Sequence, residues 1–132
     1  MEYLKNIFFY FKEYLKYCLK ATDEYSIHSP LIFDLYNNIK TKNIEQEIKE
    51  YFSKDVVVEL YDYDSIIQKL KEYKVIIIII KDIHKTANKS SVWEKIKRIE
   101  NVAFVSVDFF RLGVIIKTES VLKRQHYILK RK

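Results

Sequence analysis

Four residues of this chain have the types and spacing to do chemistry: Asp62, Asp64, Asp82 and His84. Each pair follows a short β-branched run, Val56-Val57-Val58 in one case and Ile76–Ile80 in the other. Carboxylates with an imidazole are a donor set for Mg²⁺, Mn²⁺ or Zn²⁺. Asp82 with His84 also has the composition of a general-base pair, a carboxylate orienting an imidazole. These four are therefore the candidate metal ligands, and Asp82 and His84 the candidate catalytic residues. The plainer reading of the same residues is structural. Asp64 caps a helix, Asp62 is solvated, and Asp82 and His84 belong to a turn between strand and helix. Lys81, next to Asp82, lowers the negative charge a cation would need.

The elements that must position these residues can be read from hydrophobic pattern. Val75–His84 runs V-I-I-I-I-I-K-D-I-H. An unbroken β-branched run with polar residues at its exit predicts a parallel strand buried on both faces. In an open α/β sheet, ligands bind at the carboxyl end of such strands. Asp55–Tyr61 predicts a second strand beside it, Val102–Phe110 a third and Gln125–Lys130 the last. Arg111–Gly113 reads as a tight turn into a strand over Val114–Lys117.

Residues 2–20 predict a helix whose inner stripe is Leu4, Phe8, Phe11, Leu15 and Cys18, with Phe9, Tyr10, Tyr14 and Tyr17 widening the apolar face. Ser29 with Pro30 opens a second helix and Asn43 with Gln46 a third. Asp64 or Ser65 starts a short fourth helix. Ser91 and Glu94 have the spacing of a capping box for the fifth. The expected class is α/β: a small, mostly parallel, three-layer sheet with helices on both faces, N-terminal helices and antiparallel C-terminal strands. The chain reads as a single domain, helical over 1–52 and α/β over 53–132.

Composition sets the bounds. The 132 residues are 48% apolar and 32% charged, enough for one packed core. There is one glycine, Gly113, far along the chain from the isoleucine strand, against a usual share of about 7%. Cys18 is the one cysteine, which excludes an internal disulfide and a cysteine metal cluster. Its place in the helical stripe predicts a buried thiol. No apolar run reaches the ~18 residues of a membrane span. Lys5, Lys12 and Lys16 interrupt the N-terminus, unlike a signal peptide, so the cytoplasm is the expected location.

Net charge is +6, compatible with an anionic partner. Lys123, Arg124, Lys130 and Arg131, with Tyr127 among them, are candidate phosphate and base contacts for a nucleic acid. The structural alternative is an edge strand guarded by lysine against self-pairing. The aromatic N-terminal helix has three readings: packing within the protein, a partner or self-association interface, or a membrane surface. A protein partner or self-association is the expected partnership.

Ile27-His28-Ser29-Pro30-Leu31-Ile32-Phe33-Asp34-Leu35, Lys81-Asp82-Ile83-His84 and the spaced set Asp108, Phe110, Gly113, Val114 and Ile115 together resemble class I S-adenosylmethionine-dependent methyltransferases, in a bacterial subgroup with IHSP-type N-terminal helices. Members usually exceed 200 residues, so the resemblance implies a truncated, degenerate relative. The family's first strand leads into a glycine-rich cofactor loop. Here Val56–Leu60 is similar to that approach, and Glu59, Tyr61 and Tyr63 stand where the loop remnant falls. Tyrosine supplies neither the backbone approach nor the positive φ of glycine. Val56–Leu60 equally resembles the family's fourth strand. The implied function is a methyltransferase-like domain without cofactor binding, acting as a non-catalytic interaction or structural module. The alternatives are a residual methyltransferase or metal-binding protein, and a basic nucleic-acid-binding module. No cofactor is expected, S-adenosylmethionine entering only if the resemblance extends to function.

Overall fold

A computed structural model describes residues 2–21, 29–40 and 43–130. Three helices come first: α1 (Glu2–Lys20), α2 (Pro30–Asn38) and α3 (Ile44–Tyr51). Strands and helices then alternate as β1 (Val57–Glu59), α4 (Tyr63–Glu72), β2 (Ile76–Lys81), α5 (Ala87–Lys97) and β3 (Val105–Asp108). β4 (Leu112–Lys117) and β5 (Gln125–Ile128) follow. The caps are local chemistry. Ser29 accepts from the Ile32 amide ahead of Pro30, and Asn43 accepts from the Gln46 amide at 3.2 Å, satisfying amides that have no partner inside the helix. Ile27 and His28 of the IHSP stretch fall outside the described residues.

The five strands form one mixed sheet in the order β1-β2-β4-β3-β5. β1 runs parallel to β2, and β3 parallel to β5, while β4 is antiparallel to both β2 and β3. The isoleucine strand divides its side chains between two cores, as a pleated strand must. Ile77 and Ile79 face α2 and α3, whose Ile32, Leu35 and Ile48 close one layer. Ile76, Ile78 and Ile80 face α4 and α5, where Ile66, Leu70, Trp93 and Ile96 close the other. All five isoleucines are buried.

Four expectations are corrected. The sheet is mixed rather than mostly parallel: the isoleucine strand lies second, between parallel β1 and antiparallel β4. The last strand, β5, runs parallel to β3 rather than joining as an antiparallel addition to its neighbour. Helix α5 starts at Thr86, whose hydroxyl accepts from the Lys89 amide at 3.2 Å, so Ser91 and Glu94 lie inside the helix. The residue at positive φ in the β3–β4 turn is Phe110 (φ 71°), and Gly113 lies inside β4, paired with Ile80. Glycine is required there by space. A Cβ on Gly113 would meet the Trp93 ring at 2.6 Å.

Helix α1 departs furthest from its pattern. Leu4, Phe8, Phe11 and Leu15 are exposed, and so is Cys18. The inward side is Asn6, Phe9, Tyr10, Glu13 and Tyr17. Tyr10, Tyr14 and Tyr17 surround Phe110 with ring centroids 5.0–5.2 Å away. Aromatic edge contacts and a polar anchor therefore decide the orientation, against the richer apolar stripe.

Gly113→Ala is expected to lower unfolding free energy by about 1–3 kcal/mol through overpacking against Trp93. Equilibrium unfolding in urea measures it, and an unchanged midpoint would contradict the close approach.

Candidate functional site at the carboxyl end of the sheet

The four carboxylate and imidazole candidates part company in the fold. Asp62, and not the expected Asp64, caps α4, accepting from the Ser65 amide at 3.1 Å. Hydrogen bonds from the Ser65 side chain and then its amide hold the Asp62 carboxyl below its ordinary range. Asp64 is an exposed residue in the first turn of α4. Asp82 sits at φ 56° in the turn after β2. Its amide donates to the Arg111 carbonyl at 2.7 Å, and its own carbonyl accepts from Lys85 at 3.1 Å. His84 turns inward instead and is buried.

His84 meets two acids that its own strand does not supply. Its Nε2 lies 2.6 Å from Oδ2 of Asp108, at the end of β3. Its Nδ1 lies 3.4 Å from Oε2 of Glu13 on α1, with no hydrogen bond formed. The imidazole stacks on Phe110, 5.4 Å between centroids and 15° between planes. Asp108 is itself buried, and its Oδ1 accepts from the Phe110 amide at 2.7 Å. That bond stabilises the positive φ of Phe110 in the turn. The Tyr17 hydroxyl donates to the Leu129 carbonyl, just past β5. Helix α1 thus lies across the carboxyl ends of β2, β3 and β5, the edge where an open α/β sheet takes ligands.

This arrangement limits the chemistry. A general base needs a ring nitrogen within reach of a substrate proton, and both nitrogens of His84 face carboxylates of the protein. The two carboxylates approach opposite sides of the ring, so they cannot converge with it on one ion. Among the described residues no group of three or more His, Cys, Asp and Glu side chains is placed to hold a metal. The acids that pair with His84 were missed as its partners. Asp108 belongs to the quoted spaced set, but Glu13 carried no signal beyond being an acid within a lysine-rich helix.

The remnant-loop residues make a surface network. The Tyr61 hydroxyl donates to Glu59, which lowers the Glu59 carboxyl and raises the Tyr61 phenol. Lys81 stands 3.3 Å from both Glu45 and Glu59, and these acids, Glu45 first, raise its ammonium. Tyr63 opens α4 with the Lys95 ammonium 6.0 Å from its ring centroid. The recess between Tyr61, Ile80, Ile83 and Val92 holds about 120 Å³, below the ~300 Å³ of small-ligand pockets. A larger cavity of about 450 Å³ lies beside Asp82, between α1 and the turn, with Lys85 and Arg111 in its wall.

At the basic end, Lys123 and Lys130 are exposed, and Arg131 lies outside the described residues. The Arg124 guanidinium donates to the carbonyls of Lys97, at 3.3 Å, and Ile99, closing the C-terminus of α5. His126 contacts the Ser106 hydroxyl through Nδ1. Burial, then Lys97 and Arg124, pushes its imidazole below the ordinary value.

Asp108→Ala is expected to cost about 1–3 kcal/mol, because it leaves a buried ring nitrogen of His84 without its hydrogen-bond partner. His84→Ala in the same background should recover part of that loss in a double-mutant cycle; simple additivity would contradict the pairing. A second expectation concerns pH. The folded pKa of His126 is lowered, so its contribution is present above the unfolded value of about 6.5 and fades as pH falls through the folded one. His126→Gln should flatten that part of the stability–pH curve, read from thermal unfolding.

Comparison with known protein families, curated proteins and solved structures finds no match to this chain.

Proposed function

We propose that this chain is a methyltransferase-derived domain that has lost its cofactor cradle and works as a non-catalytic interaction or structural module. The observation that carries the reading is the occupation of the ligand edge by α1. His84, the residue best suited to proton transfer, is enclosed by Asp108, Glu13 and Phe110. Support also comes from the region that resembles a cofactor approach. Glu59 is engaged by Tyr61 and Lys81 there, and the adjoining recess is about 120 Å³.

The metal alternative finds little to work with. Asp62 caps a helix, Asp64 is exposed on it, and His84 points away to Asp108. The nucleic-acid alternative keeps Lys123 and Lys130 but has Arg124 committed to α5. The cavity beside Asp82 has the volume for a small ligand, so the decisive test is binding.

Saturating S-adenosylmethionine is expected to leave the melting temperature of the whole chain unchanged. A rise that grows with ligand concentration, as linkage requires of any ligand selective for the folded state, would overturn the reading in favour of a residual methyltransferase.

A further inference from the structure

The outer face of α1 is large, apolar and bare. Leu4, Ile7, Phe8, Phe11, Leu15 and Leu19 are 45–87% exposed. At about 100° per residue they cover roughly 120° of the helix. A contiguous patch of this kind marks an interaction surface. Its borders are cationic on both sides. Lys5 and Lys12, both exposed, follow the arc on one side, with Lys16 behind them. On the other side the cavity of about 450 Å³ opens between Tyr3 and Ile7 of α1 and exposed Lys85 and Arg111. Asp82 is the one carboxylate among the residues lining that cavity. Glu13 is turned inward to His84.

We propose that α1 is a docking surface for an anionic lipid bilayer, lying in the plane of the membrane with Phe8, Phe11 and Leu15 in the acyl boundary and Lys5, Lys12, Lys85 and Arg111 at the headgroups. The charge pattern selects this occupant over a second copy of the chain. A twofold pairing sets the same patch against itself. Antiparallel helices bring each border beside its own copy and parallel helices bring it beside the other border; both borders are cationic, so either arrangement repels. Anionic headgroups neutralise both borders while the acyl region takes the apolar arc. Among the described residues no helix is long and apolar enough to cross a membrane, so the contact is peripheral. The inference goes beyond the non-catalytic reading and does not depend on it, because the arc lies on the side of α1 away from His84.

The test is co-sedimentation of the whole chain with phosphatidylglycerol-containing vesicles and with pure phosphatidylcholine vesicles. Binding is expected on the anionic vesicles, weakening as salt is added. Phe11→Ser should reduce it by about tenfold or more, with no change in thermal unfolding since Phe11 is exposed. Lys5→Glu with Lys12→Glu should reduce it on anionic vesicles. Cys18, the single thiol, lies on the same arc, and a polarity-sensitive dye there should shift to the blue on anionic vesicles. No sedimentation at low salt, equal binding by Phe11→Ser, or an unshifted dye overturns the proposal. So does a dimer in sedimentation equilibrium that Phe11→Ser dissociates.

Discussion

Burial of the isoleucine strand on both faces is the constraint from which the rest follows. Five successive β-branched side chains alternate across the sheet, so neither face can be left to water. Helices α2 and α3 cover Ile77 and Ile79, and α4 and α5 cover Ile76, Ile78 and Ile80. Both faces are then taken. Helix α1 is left the carboxyl edge of the sheet, where backbone ends and polar side chains meet it. A narrow edge seats only one side of a helix, and the side that fits carries Glu13 and the tyrosines. The richer apolar arc stays outside for that reason.

The same edge explains the state of the candidate site. His84 leaves β2 at the position where a ligand-binding residue would stand, but Asp108 and Glu13 hold it on its two sides. One acid comes from β3 and the other from α1, so the cluster also ties the N-terminal helix to the sheet. Cations elsewhere serve a similar structural end. Lys117 donates to the carbonyls of Leu70 and Tyr73 at the end of α4, and Arg124 does the same for α5. Both use the unpaired carbonyls and negative pole of a helix C-terminus. Part of the basic character of the chain is thereby spent inside the fold.

Much of the scaffold was legible from residue pattern. Ser29-Pro30 and Asn43 open helices because their chemistry is local, and the isoleucine run becomes a strand buried on both faces because length and β-branching leave little choice. Strand order was not legible. β4 separates β2 from β3 through pairings between segments far apart in the chain, and local pattern carries no signal for them. Thr86 lost to Ser91 and Glu94 in the pattern because a capping box is recognised by spacing alone, whereas the real start is set by where the turn after β2 ends. For α1 the hydrophobic stripe pointed to the wrong face, since periodicity measures how apolar a face is and says nothing of what it meets. Asp82 and His84 were found as candidates, but the partners that define the role of His84 come from Glu13 and Asp108, far apart in the chain.

The central claim is that α1 closes the carboxyl edge of the sheet over His84. Native-state hydrogen exchange of the α1 amides tests it most directly. The amides from Phe9 to Tyr17 should show protection approaching that of β3, because they open only when the seat on Phe110 and the His84 cluster is broken. Rapid exchange throughout α1 with β3 still protected would contradict the account, leaving His84 open to solvent and the edge free for a ligand.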